Sequence, residues 1–193
     1  MAKITWPPAT LLSPVPAVLV SSGTMEKPNV ATVAWTGIIN SEPPMTYISL
    51  RPSRFSHKII SETGEFVINL TTGSLARATD ACGVYTGEKM NKIKAYSLTP
   101  EKANKVQCPT LAQSPVSLEC KVVEVKSLGS HDMFLARIVA VNVEESLIDE
   151  NGKLDLKRAN LLAYSHGDYI QLGKKIGSFG YAVRKKKKSK EKT

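Results

Sequence analysis

Two guanidiniums and two hydroxyls crowd the joint between an apolar run, "MTYISL" (45–50), and the helix-like stretch behind it. Arg51 and Arg54 supply the cations, and Ser53 and Ser56 the hydroxyls. A helix that starts near Ser53 would also present unpaired N–H groups and the positive end of its dipole there. Such a cluster suits a phosphate, whose oxygens take short, charge-assisted hydrogen bonds from arginine and hydroxyl donors. A capped helix with solvated arginines carries the same residues, so this stretch alone leaves both readings open.

Three further stretches carry chemistry of the same kind. In "DACGVYTGEKMNK" (80–92), Gly83 and Gly87 bracket Thr86, and Lys89 and Lys92 follow. The Walker pattern cannot be laid on it. Backbone N–H groups, a hydroxyl and a cation can still form a second anion cradle, with a loop of surface lysines as the alternative. In "NVATVAWTG" (29–37), the small Ala31, Thr32 and Ala34 beside Trp35 and Thr36 leave room for a flat group. A core strand in which Trp35 merely packs fits equally. In "GSHDMF" (129–134), His131 and Asp132 sit at a hairpin tip, where an imidazole can donate to a ligand or titrate near neutrality. Hydrolytic chemistry has no candidates. No framed carboxylate pair and no G-x-S-x-G elbow occur, and "GKKIGSFG" (173–180) is not the dinucleotide fingerprint.

The elements that must position these residues are mostly strands. Short apolar or β-branched runs occur at 17–22, 29–39, 45–50, 65–72 and 169–173, bounded by Gly and Pro. Residues 116–128 and 133–145 read as the two arms of a hairpin. Along the first arm, Leu118, Cys120 and Val122 alternate with Glu119 and Lys121, and the apolar phase then slips to Val123 and Val125. A one-residue slip predicts a bulge. Helices are predicted over 53–64 (Ser53 as cap, Gly64 as stop), 74–83 (Ser74 as cap, Gly83 as stop) and part of 89–98. Many short strands with few short helices predict a mainly β, closed or partly closed antiparallel barrel.

The chain has 193 residues, of which 42% are apolar, enough for one sizeable core. Its net charge is +9, but the final "VRKKKKSKEKT" holds one Arg, six Lys and one Glu. The expected organisation is one domain over 1–182 and a disordered Lys-rich tail over 183–193. A near-balanced body argues against nucleic acid as the main partner despite that tail. Cys82, Cys108 and Cys120 make an odd number without a C-x-x-C pair, which predicts no disulfide framework and no zinc site. No stretch approaches the roughly 20 apolar residues of a membrane helix. A reducing, cytoplasmic setting is expected.

Taken in order, "NVATVAWTG", "ISLRPSRFSHKII", "GEFVINL", "DACGVYTGEKMNK" and "GSHDMFLARIVAV" resemble the flavin reductase-like family, the FMN-binding split barrels, over about residues 10–181. The flavoredoxin and ferric reductase branch is the most similar. The resemblance implies a homodimer of Greek-key split β-barrels with FMN near the subunit interface. It implies that Thr32, Ala34, Trp35 and Thr36 lie along the isoalloxazine ring and that Ser49, Leu50 and Arg51 face it from the next strand. Ser53, Arg54, Ser56 and Lys92 would hold the phosphate, and Asn69 would meet the ring or ribityl chain. Cys82, Gly83 and Thr86 would line the pocket wall, with His131 approaching from the hairpin tip. NADH or NADPH would be the electron donor, and flavin, a ferric chelate or a redox protein the acceptor. A carrier without nicotinamide activity is the alternative that the resemblance leaves.

Overall fold

The structure is a computed structural model that describes residues 1–183. The reading of the Lys-rich tail therefore lies almost wholly outside the described residues. Strands β1 (Val15–Pro16), β2 (Val18–Gly23), β3 (Pro28–Val33), β4 (Thr36–Asn40) and β5 (Met45–Leu50) come first, followed by helix α1 (Phe55–Thr63) and strand β6 (Glu65–Asn69). A 3-10 turn, Gly73–Leu75, leads into α2 (Ala76–Val84), and α3 (Lys92–Ala95) follows. Then come β7 (Pro100–Glu101), β8 (Thr110–Leu111), β9 (Val116–Ser127), β10 (Asp132–Val143), β11 (Leu162–Ser165) and β12 (Asp168–Gln171).

Seven strands form one antiparallel sheet in the order β3-β2-β6-β9-β10-β5-β4. Its two edge strands, β3 and β4, are consecutive in the chain and joined only by Ala34 and Trp35. The sheet must therefore curl until its edges nearly meet, and β3 comes to lie against β5. This is a split barrel, mainly β with three short helices. The continuous strand predicted over 29–39 is in fact two strands. The chain breaks at Ala34–Trp35, where the Trp35 carbonyl accepts from the Ser49 N–H at 2.8 Å.

Side-chain alternation explains the layers. Along β5, Thr46, Ile48 and Leu50 point inward in alternate positions. Ile48 and Leu50 meet Val18, Val20, Ile60, Phe66 and Phe134 inside the barrel. Strand β2 is buried on both faces, because its outward Leu19 packs with Val30 under Ala78, Cys82 and Ile93. Each fully buried Val, Leu, Ile or Phe contributes about 1.5–3 kcal/mol, so β2 and β6 anchor the sheet. The outer ends of β9 and β10 lack such cover. The bulge predicted near Val122 is present: Leu135 pairs with Glu124 but Ala136 pairs with Val122, which leaves Val123 as the extra residue. Glu119, on the strand face opposite Leu118 and Cys120, is wholly buried.

The helix caps differ from the expectation. Helix α1 begins after Arg54, whose backbone is extended and whose side chain makes no cap, so Ser53 is not the cap. Gly64 does end it, in the left-handed region at φ 67°, with its N–H on the Ile60 carbonyl at 2.8 Å. Ser74 bonds to the Thr72 hydroxyl (2.8 Å) inside the 3-10 turn and does not cap α2, and Gly83 lies within α2 instead of ending it. The sheet β1-β11-β12 includes two strands, β1 and β11, that the sequence reading missed.

Candidate functional site

Two adjoining clefts open between the C-terminal end of β5, the start of α1, strand β3 and the end of α2. The first is walled by Ala34 and Trp35 at the sheet split, Ser49 and Arg51 from β5 and its exit, and His131 from the β9–β10 turn. The second lies between α1 and α2, against Ser56, Cys82, Gly83, Thr86 and Lys92. Thr32, Leu50 and Arg54 line both. The clefts thus gather all but three of the sequence-predicted residues, drawn from four separate stretches of chain.

The three others are occupied elsewhere. Asn69 is wholly buried, and its amide donates to the Leu19 carbonyl (3.0 Å) and the Ser21 hydroxyl (3.0 Å). Its oxygen accepts from the Leu111 N–H (3.1 Å) and the Ser117 hydroxyl (2.8 Å). With every polar atom used, it ties β2, β6, β8 and β9 together and offers nothing to a ligand. Thr36 is also buried, and its hydroxyl donates to the Tyr47 carbonyl at 2.6 Å within the β4–β5 pair. Ser53 is exposed and lines neither cleft.

Within the clefts, several side chains already carry a local bond, which decides what each can still do. Ser56 is buried; its oxygen accepts from Asn29 Nδ2 at 2.8 Å, which leaves its own hydrogen to donate. Asn29, which the sequence reading did not single out, also donates to Ser22 (3.1 Å). The Thr32 hydroxyl donates to the Thr79 carbonyl, pinning α2 to β3 and leaving its lone pairs to accept. Gly83 lies against this contact, where an added Cβ would sit 3.4 Å from Thr32 Cβ.

The electrostatics are one-sided. Lys92 is buried, and its Nζ donates to the carbonyls of Cys82 (3.2 Å) and Tyr85 (3.1 Å) at the end of α2, where the helix dipole is negative. Burial pulls its pKa below the usual lysine range; the neighbouring Cys82 thiol pushes it back up, and the charge of Arg54 pulls it down again. Burial pushes the Cys82 thiol up, with Lys92 opposing. At the other cleft, His131 bonds through Nδ1 to the Ser130 hydroxyl at 2.9 Å. Burial and then Arg51 lower its pKa, which favours the neutral ring at neutral pH. Among the described residues, no carboxylate forms an ion pair with Arg51, Arg54 or Lys92. Three cations converge on one groove without a counter-charge, a donor set that fits a phosphate dianion.

A second pair escaped the sequence reading. His57 Nε2 and Asp132 Oδ2 meet at 2.8 Å, with the imidazole edge-on to Phe134 at 5.1 Å between ring centroids. This bond fastens α1, which carries Ser56, to β10, whose preceding residue is His131. His57 lies three positions after Arg54 on the helix, but its partner is 75 residues away, so no local spacing could reveal it.

Residues 11–173 match the family model described as the flavin reductase like domain. An uncharacterized protein of Archaeoglobus fulgidus is 33% identical over 156 residues, covering 81% of this chain and 86% of that one. Flavoredoxin of Desulfovibrio vulgaris (Miyazaki F) superposes with a TM-score of 0.88 at 27% identity, covering 95% of this chain and 100% of that one. Flavoredoxin from Methanosarcina acetivorans gives a TM-score of 0.84 at 25% identity, with 95% and 100% covered. The fold, the order of the site stretches along the chain and these similarities agree: the chain belongs to the flavin reductase-like family of split-barrel proteins.

Proposed function

We propose that this protein binds FMN in the two adjoining clefts and passes electrons from NADH or NADPH, through the flavin, to free flavin, a ferric chelate or a redox protein. The observation that carries the reading is the set of three unneutralised cations, Arg51, Arg54 and Lys92, around a groove walled at one end by Trp35. Arg54, Lys92 and the Ser56 and Thr86 hydroxyls would hold the phosphate. The flat ring would lie in the first cleft, against Trp35 and Leu50, with Arg51 and His131 at its polar edge. The flavin supplies the hydride and electron chemistry when bound. The chain's own residues bind it, orient it and place positive charge where the reduced ring is anionic. This explains a site with no nucleophile–base pair.

Flavoredoxin-like electron carriage without nicotinamide activity is the second reading, supported by the superposition on two flavoredoxins. In both readings we place the protein in the cytoplasm, a setting consistent with three free, buried cysteines. Among the described residues, no helix is long and apolar enough to cross a membrane.

The test is the visible spectrum of the purified protein, taken anaerobically before and after NADH and then NADPH. Flavin bands that bleach with a nicotinamide support the reductase. Flavin bands that persist support the carrier. A colourless protein that takes up no added FMN refutes both.

A further inference from the structure

One residue holds both ends of the segment that carries Arg51, Arg54 and Ser56. Asp132 opens β10, and its backbone is paired with Leu50, the last residue of β5. Its carboxylate accepts from His57 Nε2 at 2.8 Å, on the first turn of α1. A carboxylate only accepts, so the imidazole nitrogen is the donor. Ser127, the partner of Asp132 on β9, lies against the same carboxylate. The chain from Leu50 to His57 is thus closed into a loop by the backbone and the side chain of a single residue.

Between those ends the loop is stiff. The Arg54 N–H donates to the Arg51 carbonyl and the His57 N–H to the Arg54 carbonyl, each at 2.9 Å, and Pro52 fixes one backbone torsion between them. Successive residues of a helix point about 100° apart, so Ser56 and His57 face different walls. Ser56 accepts from Asn29 Nδ2 of β3 at 2.8 Å, while His57 reaches β10. Strand β3 is one edge of the split sheet, and β10 lies two strands in from the other. The first turn of α1 is therefore fastened to both sides of the split, beside the groove. The His57 and Asp132 side chains are only 16% and 17% exposed, and the imidazole stands edge-on to the buried Phe134. That shielding strengthens a charged hydrogen bond. Neither residue lines either cleft.

We infer that His57 and Asp132 are positioning residues for the phosphate: the clip they form sets Arg54 and Ser56 in place before the ligand arrives. The inference rests on the flavin reading above. What carries it is that both ends of the segment meet at Asp132. Without the side-chain bond, Leu50 and the adjoining Arg51 keep their place through the β5–β10 pairing. The first turn of α1 then keeps, among the described residues, only the bond from Asn29 to Ser56 as a side-chain tie to the sheet. Ordering that turn would fall to the phosphate itself, which weakens its binding.

The experiment titrates apoprotein with FMN and with riboflavin, following quenching of flavin fluorescence, for the wild type, His57→Phe and Asp132→Ala. His57→Phe keeps a ring against Phe134 and removes the bond; Asp132→Ala keeps the backbone pairing with Leu50. Riboflavin has the ring and ribityl chain but no phosphate, so the ratio of the two affinities reads the phosphate end alone. The wild type is expected to prefer FMN. In both variants that preference should fall about tenfold, the worth of one charged hydrogen bond, with riboflavin affinity unchanged. The wild type also supplies a test that needs no substitution. Coupling is reciprocal, so exchange of the His57 Nε2 proton, followed by NMR, should slow with FMN bound and not with riboflavin. A folded variant that keeps the full preference for FMN, or that loses both affinities in equal proportion, would overturn the inference and leave the flavin reading standing. So would a His57 proton that responds alike to both ligands. A wild type that binds FMN and riboflavin equally would overturn the phosphate assignment, and one that binds neither would overturn the flavin reading; the inference falls with either.

Discussion

At the scale of single residues, the site is set by which polar atoms remain unspent. Arg54 is exposed, unpaired among the described residues, and common to both clefts. Arg54→Ala combined with Ser56→Ala is expected to weaken FMN binding by about ten- to a hundredfold, as charged hydrogen bonds are lost. Equilibrium dialysis against FMN checks this, and unchanged retention would refute the phosphate assignment. Cysteine chemistry runs the other way. All three thiols are buried. Burial pushes the Cys108 thiol up to about 12, and burial also raises Cys82 and Cys120. Only the thiolate attacks, so the native protein is expected to be inert to a chromogenic disulfide reagent at pH 7.5 and to release three equivalents once unfolded. Rapid reaction of Cys82 in the native state would restore a redox role for it.

At the scale of elements, two carboxylates fasten pieces of chain that sequence places far apart. Glu119 accepts from the N–H groups of Asn104 (2.9 Å) and Lys105 (2.6 Å) and from Asn142 Nδ2 (2.7 Å), and so clamps the segment over residues 103–108 onto the sheet. Burial raises its pKa, but these three hydrogen bonds and a longer one from Asn104 Nδ2 (3.4 Å) together outweigh burial, and the carboxyl stays below its usual value. Glu119→Gln should destabilise the fold by about 2 kcal/mol, the cost of a charged hydrogen-bond set made incomplete. Urea unfolding at pH 7 measures it. Asp132 is likewise held below the usual carboxylate range, first by its bond to His57 and then by one to Ser127. A depressed carboxyl stabilises the fold at pH values above the unfolded pKa, about 3.9, and loses that contribution as pH falls through the folded value. The stability difference between wild type and Asp132→Asn is therefore expected to be present at pH 6 and to vanish toward pH 2. A difference that does not change with pH would mean that the α1–β10 link is not ionic.

At the scale of the whole molecule, cover is uneven. The helices pack on β2 and β3, while β4, β9 and β10 present exposed apolar side chains, among them Ile38 (71%), Val123 (53%), Val125 (47%) and Val141 (52%). Apolar residues shared by adjacent strands with no covering layer mark an association face. We propose that a second copy of the chain covers it, giving the homodimer. Light scattering on the eluted protein should give twice the chain mass, and Ile38→Lys/Val125→Lys should give the monomer with the fold retained. A wild-type monomer at micromolar concentration would refute the proposal.

What the sequence by itself determined is what short-range physics writes into it. A short apolar run after a Pro-rich turn marked β5, period-2 alternation marked the long hairpin, the phase slip at Val122–Val123 marked the bulge, and Gly64 marked the end of α1. The clustering of Arg51, Arg54 and Ser56 put charge and hydrogen-bond donors at the joint of β5 and α1, because residue type alone supplies them. Only the tertiary structure decided which of those polar groups are available. Asn69 and Ser117 are 48 residues apart, and Asn29 and Ser56 are 27 apart. A hydrogen bond formed at that separation leaves no local pattern, so Asn69 and Thr36 looked like ligand contacts and are structural. The same holds for the pair of adjoining clefts. It exists because the curled sheet brings β3, α1 and the end of α2 against one another, and no stretch of the chain contains it alone.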